Sequence, residues 1–389
     1  MFLDVTNKPF PTVLSGRPVK IQLINDGDKM TQKHAKPPYK IPSMDEIRNL
    51  PWNGFNVIST FSGCGGSSLG YKMAGYKVLW ANEFIPAAQE TYRANHHETF
   101  LNTNDIRKVT PSDIFKEAGI KKGELDIFDG SPPCAAFSTA GKREAGWGKV
   151  KKYSDTMQRV DDLFFEYSRL LEGLQPKTFV AENVSGLVKG TAKGYFKEIL
   201  QTLKECGYNV KAKVLDASWL GVPQARQRLI FVGVRNDLGL EPVHPKPLSY
   251  QYTTLDALPE IMNGGIISIE SETRFSPCIE KEYDNVPIGG NSEKYFNLSR
   301  PHPNKPCPTI TQTGGTSAAG VVHPFEKRKF TIAELRRICA FPDDFILTGT
   351  YAQQWERLGR AVPPVMMYYI AKTIQEEILD KLSEDLWKH

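Results

Sequence analysis

Short apolar runs of strand length recur at positions 57–60, 78–81, 125–129, 178–181, 210–215 and 229–234, separated by stretches of helical period. This alternation constrains the fold more than any other feature. Parallel strands can be joined only through crossovers, usually helical, that pack back onto the sheet. Positions 161–174 place Leu163, Phe164, Tyr167, Leu170, Leu171 and Leu174 on one helical stripe, and 194–206 reads the same way. The predicted core is therefore α/β, a doubly wound parallel sheet covered by helices on both faces. Ligands of such sheets sit beyond the carboxyl ends of the strands. Residues that directly follow each apolar run are thus the candidates for chemistry.

The texture changes at both ends of this region. Prolines at 9, 11, 18, 37, 38 and 42 mark an extended arm over 1–54, which ends in a short helix capped by Ser43 with Glu46 completing a capping box. Residues 55–244 form the catalytic unit. Positions 245–325 are rich in Pro, Gly, Ser and Thr without helical period, and predict a smaller, loop-rich module. Helical character returns at 331–341 and again at 364–382, where Val365, Met366, Tyr369, Ile370, Ile374 and Ile378 recur; residues 326–389 complete the catalytic unit. The apolar runs are far shorter than the roughly 20 residues a membrane span needs, and the first residues lack a signal-peptide pattern. Six cysteines, at 64, 134, 206, 278, 307 and 339, form no CxxC pair, so neither a zinc site nor a disulfide framework is expected. A free thiol in a reducing cytoplasm fits. The net charge of +5 is compatible with a polyanionic partner.

Two peptides at strand ends carry the chemistry. Phe61-Ser62-Gly63-Cys64-Gly65-Gly66 turns a strand into a helix with glycines that permit positive φ and close backbone approach to a ligand. Its spacing is not GxGxxG and no phosphate-binding Lys follows, which disfavours a dinucleotide or triphosphate. Glu83 ends the next strand and is placed for ribose hydroxyls, with Phe84 beside it; Asp105 and Ile106 follow at a further strand end, where Asp105 is a candidate for an adenine amino group. A nucleoside without a pyrophosphate is implied, and S-adenosylmethionine fits. Cys64, inside the glycine loop, reads as a small packing residue rather than a second nucleophile. The second peptide is Gly130-Ser131-Pro132-Pro133-Cys134, after the strand 125–129. Two prolines fix φ and exclude helix, and Cys134 then stands either as a nucleophile or as a small buried residue after a turn.

Taken together, these motifs resemble the cytosine-5 DNA methyltransferase family, of prokaryotic or phage type. FSGCGGSSLG matches its first cofactor motif and GSPPC its nucleophile motif, while Glu182-Asn183-Val184 matches the acid motif and Gln224-Ala225-Arg226-Gln227-Arg228 the QxRxR motif. Phe341-Pro342-Asp343-Asp344-Phe345 and Gly359-Arg360-Ala361-Val362-Pro363-Pro364 match the two C-terminal motifs. The resemblance implies a Rossmann-like methyltransferase sheet with 245–325 as target-recognition domain. It implies Cys134 as the nucleophile on cytosine C6, Glu182 on N3, Arg226 on O2 and Arg228 as its support. It also implies cofactor contacts from Phe61, Ser62, Gly63, Cys64, Gly65, Gly66, Glu83, Phe84, Asp105 and Ile106, continuing with Asp129, Gly130, Pro132, Arg360, Ala361 and Val362, and no metal. Duplex DNA is the implied partner of a monomer, with a cognate restriction endonuclease. The target base must be rotated out of the helix to be reached. The basic, glycine-containing stretch 135–155, with Lys142, Arg143, Lys149, Lys151 and Lys152, is expected to close over phosphates.

Two places depart from the family pattern. Arg360 stands where the family usually has Asn, and a cation there disfavours a sulfonium unless an acid pairs with it. An anionic donor, carboxy-S-adenosylmethionine, is the alternative, which would make the enzyme a DNA cytosine carboxymethyltransferase. Arg337-Ile338-Cys339-Ala340 replaces a usual Gln-Gly pair and bears on packing. An RNA cytosine-5 methyltransferase and a non-catalytic DNA-binding module are the remaining readings.

Overall fold

The computed structural model describes residues 36–133, 151–153, 156–158, 163–189, 192–259, 273–295, 297–316 and 320–386. The residues from Lys36 onward form one unit. Its strands are β1 (Asn56–Thr60), β2 (Lys77–Asn82), β3 (Phe100–Asn102), β4 (Ile127–Gly130), β5 (Lys151–Tyr153), β6 (Thr156–Gln158), β7 (Thr178–Val184), β8 (Tyr208–Asp216), β9 (Gln224–Ala225), β10 (Gln227–Arg235) and β11 (Cys307–Pro308). The helices that matter for the site are α1 (Met44–Arg48), α2 (Gly66–Met73), α3 (Pro86–Asn95), α4 (Pro111–Ala118), α5 (Leu163–Leu174), α6 (Lys193–Glu205), α7 (Thr254–Ala257), α8 (Pro277–Tyr283), α9 (Ile332–Ile338), α10 (Tyr351–Arg360) and α11 (Pro364–Ile374).

A seven-stranded sheet runs β3-β2-β1-β4-β7-β10-β8. Its first five strands are parallel, whereas β10 lies antiparallel to both β7 and β8. The sheet is thus mixed rather than wholly parallel. The reason is chain length. Only positions 217–226 connect β8 to β10, too few for the crossover of about a dozen residues or more that a parallel return requires. Strand β3, only three residues long with Phe100 exposed, is the further strand expected ahead of Asp105.

Side chains alternate between two apolar faces. Ile58, Phe128, Phe179 and Phe231 point to one, where Phe164, Tyr167, Leu170 and Leu171 of α5 and Ile199 and Leu203 of α6 cover them. Val57, Ile127, Val180 and Ile230 point to the other, against Tyr71 of α2 and Met366, Met367, Ile370 and Ile374 of α11. Both faces being dry explains why the strands read as unbroken apolar runs. Gly233 fits the same logic: a Cβ there would come within 2.0 Å of the Phe179 ring on its paired strand. The helix expected over 364–382 is interrupted by a π-helical turn, Gln375–Leu379, before α12 (Asp380–Leu386). Within 245–325, Ile279, Tyr283, Val286, Leu298 and Val322 gather in a small cluster of their own.

A third apolar cluster joins α1 (Met44, Ile47) to α9 and α10 (Leu335, Ile338, Trp355, Leu358) and to Cys64 and Leu69. The capping box of α1 forms as its sequence predicts, with Ser43 Oγ accepting from the Glu46 N–H at 3.1 Å and the Glu46 carboxylate accepting from the Ser43 N–H at 2.7 Å. The start of α1 is also held from outside: both carboxylate oxygens of Asp344 accept from the Met44 N–H at 3.0 Å, and Tyr39 donates to the Arg337 carbonyl at 2.8 Å. Residues 36–48 therefore brace the Phe341–Phe345 segment. Among the described residues no helix is long and apolar enough to cross a membrane. Replacing Asp344 with Ala removes this cap, and urea denaturation is expected to register a loss of about 1 kcal/mol.

Candidate active site

The glycine loop is shaped by what lies behind it. Phe61, Gly63 and Gly65 all take positive φ, at 54°, 56° and 89°. A Cβ on Gly65 would fall 2.2 Å from His96 Nε2, and one on Gly66 would fall 2.3 Å from the Val362 carbonyl oxygen and 3.3 Å from Ala361 Cβ and Phe341 Cζ. Only glycine lets α2 start so close to residues 361–362. Ala361 and Val362 thus meet the loop with which the sequence grouped them. Nothing lies within 4 Å of the place a Gly63 Cβ would occupy, so that side of the loop is open. Cys64 is buried, its thiol donates to the Arg357 carbonyl at 3.8 Å, and burial pushes its pKa up to about 12. It is a packing residue without thiolate character.

Glu83 is buried just after β2. One of its carboxylate oxygens accepts from the Gly63 N–H and the other from the Ile85 N–H, each at 2.7 Å. Burial raises its pKa, and those backbone donors oppose the rise. The carboxylate is thereby fixed at the loop with a further lone pair on each oxygen for a diol. Phe84 beside it is exposed, offering an aromatic surface. Asp105 is differently engaged. It caps the 3-10 turn Ile106–Lys108 by accepting from the Arg107 N–H at 3.0 Å, and it pairs with the Arg107 guanidinium at 3.2 Å. Ile106 is buried behind it. An acid with two oxygens on the loop, an aromatic face and an open glycine edge fit a nucleoside cofactor.

At the end of β4, Asp129 is 1% exposed. Its oxygens accept from Ser59 Oγ at 2.8 Å and from Tyr71 OH at 3.2 Å. Burial pushes it up to about 7, the two hydroxyls lower it, and the charge of Glu182 adds to the rise. Gly130 is required next, since a Cβ would come within 2.6 Å of both Thr60 Oγ1 and the Tyr167 ring. The Pro132 carbonyl then accepts from Asn183 Nδ2 at 3.3 Å. Cys134 and the basic stretch 135–150 lie outside the described residues, as do the side chains of Lys151 and Lys152. What is described is the stiff peptide that leads to Cys134, tied to β7 by Asn183.

Glu182 sits on β7 opposite Ile230, and Arg228 lies two positions back along β10, so the two share one face as diagonal neighbours. Arg228 Nε donates to Glu182 Oε1 at 2.7 Å, with side chains 15% and 11% exposed. Arg226 is placed otherwise. It is 1% exposed, and its Nη1 and Nη2 donate to the carbonyls of Ile310 (3.1 Å) and Gly359 (2.9 Å). Burial and the charge of Arg228 pull its pKa down to about 9, which leaves it a cation at neutral pH. This differs from the expected division of labour. The arginine beside the acid is Arg228, while Arg226 turns one donor of each Nη to backbone and keeps a buried Nε with no partner among the described residues. Gln224 plays a similar structural part, accepting from the Ile310 N–H at 3.1 Å and donating to Cys339 Sγ at 3.3 Å.

Arg360 ends α10 with Nε 2.7 Å from Glu356 Oε1, and Glu356 also pairs with Arg357 at 3.0 Å. An acid one turn back therefore meets the cation that departs from the family pattern. Ser59, Tyr71, Asn183 and Glu356 were given no role from sequence. A signal existed for Ser59, a hydroxyl inside an otherwise apolar strand; the others become visible only as partners.

The description "C-5 cytosine-specific DNA methylase" belongs to the family model that matches residues 55–376. Type II methyltransferase M.NgoFVII of Neisseria gonorrhoeae is 30% identical over 358 residues, spanning 86% of this chain and 89% of that protein. Type II methyltransferase M1.HphI of Haemophilus parahaemolyticus is 32% identical over 337 residues, 82% of this chain and 86% of the relative. Among solved structures, Spodoptera frugiperda DNMT2 shares the fold with a TM-score of 0.60 at 20% identity, covering 85% of this chain and all of that one (100%). The two arginines should separate experimentally. Arg226→Ala is expected to cost about 2–4 kcal/mol in urea melts because two buried carbonyls lose their donor, whereas Arg228→Ala keeps most of the stability and loses turnover.

Proposed function

This chain belongs to the C-5 cytosine-specific DNA methylase family, and from that premise we propose that it acts through a covalent Cys134 adduct on a cytosine turned out of duplex DNA. It is a DNA (cytosine-5)-methyltransferase with S-adenosylmethionine as donor. The observation that carries the mechanism is the Glu182–Arg228 pair. That pair stands beside the Gly130–Pro133 peptide, which Asn183 ties to the same strand.

Cytosine C5 is a poor nucleophile. Addition of the Cys134 thiolate to C6 forms an S–C6 bond and moves ring electrons toward N3, O2 and C5, making C5 enamine-like. Glu182, oriented by Arg228, hydrogen-bonds N3 and the exocyclic amine and delivers a proton as charge builds on N3. Arg228, rather than Arg226, offers its remaining planar donors to O2. Bound S-adenosylmethionine supplies an electrophilic methyl group; Glu83 and the open edge of the glycine loop would hold its nucleoside. Loss of the C5 proton to water, return of the N3 proton to Glu182 and breakage of the S–C6 bond, whose electron pair leaves on sulfur as thiolate, then restore aromaticity. The base must leave the stack because C5 and C6 are shielded within it.

In this reading 245–325 reads the target and 135–155 closes over phosphate. The same reading makes it a monomer acting on duplex DNA in the cytoplasm, and the Type II designation of its relatives supports a place beside a cognate restriction endonuclease. The Arg360–Glu356 pair supports ordinary S-adenosylmethionine over its carboxylated form, because the cation already has an anionic partner. Given both donors in equal amount, the enzyme is expected to leave 5-methylcytosine, read by mass spectrometry of the nucleosides; carboxymethylcytosine would reinstate the alternative. Duplex DNA carrying 5-fluorocytosine is expected to trap the protein covalently, and Cys134→Ser to abolish both trapping and turnover. Glu182→Gln should lower turnover by about 10²–10⁴. Modification of transfer RNA but not duplex DNA would favour the RNA reading.

A further inference from the structure

Asp129 has an unusual setting. It is 1% exposed, and among the described residues its hydrogen-bond partners are two neutral hydroxyls, Ser59 at 2.8 Å and Tyr71 at 3.2 Å. A buried carboxylate ordinarily pairs with a cation or gives up its charge. Two other buried acids follow that rule, Glu182 with Arg228 and Asp126 with Lys177, while Glu83 is held by two backbone N–H groups. Asp129 instead connects to the cofactor loop. Ser62 of that loop donates to the Ser59 carbonyl at 3.0 Å and lies 3.2 Å from Ser59 Oγ, the same hydroxyl that donates to Asp129. Gly63 and Glu83 come next along the loop.

We propose that ionised Asp129, coupled to the glycine loop through Ser59 and Ser62, makes the cofactor site charge-selective, favouring the sulfonium donor over its neutral thioether product. The proposal rests on the reading that the loop binds S-adenosylmethionine. The donor carries one positive charge more than S-adenosylhomocysteine, and an anion that is itself buried acts on that charge without touching it, since its field is weakly screened by bulk solvent. A site lacking such a charge would hold product as tightly as donor. The structural cost of an unpaired buried acid is then offset when the cation arrives.

Linkage gives the sign. Burial holds Asp129 at about 7, so it is largely protonated below that pH and ionised above it. The ratio of product to donor dissociation constants should therefore rise with pH through about 7 and then level off. The α-amino group common to both ligands titrates near 8 and cancels in the ratio. The other groups that sense Asp129 are Tyr71 on α2, Tyr92 on α3, Tyr167 on α5 and Glu182 on β7. Burial holds all three phenols above their ordinary value, so they stay neutral over this range. Glu83, also raised by burial, remains in every variant used below.

The test is calorimetric binding of S-adenosylmethionine and S-adenosylhomocysteine to the full chain, from about pH 6 to about pH 8. In the wild type the ratio is expected to grow about fivefold to tenfold, the change that a pKa displacement of about one unit produces. Asp129→Asn retains hydrogen-bonding capacity without the charge, and should bind both ligands with a flat ratio. A flat wild-type ratio, or an Asp129→Asn ratio that still climbs, overturns the proposal. Failure of the wild type to bind either ligand overturns the cofactor reading and the proposal with it. Should Asp129→Asn not fold, Ser59→Ala decides: removing one donor to the carboxylate must move the midpoint of the rise to higher pH. An unmoved midpoint overturns the proposal.

Discussion

The buried guanidinium of Arg226 is the constraint on which the rest of the catalytic face depends. It bonds the carbonyls of Ile310 and Gly359, which lie 84 and 133 residues away in sequence. Three separate stretches of chain therefore end at one side chain. Gln224 reinforces the junction through Ile310, and β11 pairs with β9 in parallel at the same place. Gly359 has to be glycine for this approach, since a Cβ would meet the Gln312 backbone nitrogen at 2.7 Å. Long-range closure of this kind costs loop entropy only slowly with length, but a buried cation left without acceptors costs several kcal/mol. The junction is for that reason sharply specified, and Arg228 is left free to meet Glu182.

Three acids at successive strand ends show how differently one kind of group can be accommodated. Glu83 is held by two backbone N–H groups, Asp129 by two hydroxyls and Glu182 by a guanidinium. Backbone donors orient Glu83 while burial raises it; burial pushes Asp129 up to about 7 against the pull of its two hydroxyls; the pair with Arg228 aims Glu182. The sheet makes this possible because the C-terminal ends of β1, β2, β4 and β7 lie side by side in parallel. Residues with no proximity in sequence converge there, and the apolar layers beneath keep the ends rigid.

The glycine loop gains its shape from the C-terminal segment that closes over it. Val362 and Phe341 press on Gly66, while residues 36–48 brace the Phe341–Phe345 stretch from behind through Asp344 and Tyr39. A segment that precedes the matched family region thus reaches the glycine loop through two layers of contact. Arg360, the departure most visible in the sequence, proves to be balanced locally: Glu356 stands one helical turn away and takes its charge.

Much of this was legible in the chain itself. Apolar runs with glycine-rich or proline-rich exits specify a buried sheet and the peptides at its ends, since these depend on short-range periodicity and backbone geometry. Glu83 was legible for the same reason, as a polar group at a strand end, whereas Glu182 and the two arginines were picked out by their resemblance to family motifs. Tertiary structure alone decided which arginine serves the acid, because Arg226, just ahead of β10, and Arg228, within it, are two positions apart in sequence but meet different remote segments. It also decided that β10 returns antiparallel, and that Asp129 meets hydroxyls rather than a cation. Local sequence sets what a residue can bond to; only packing of remote segments sets what is there to be bonded.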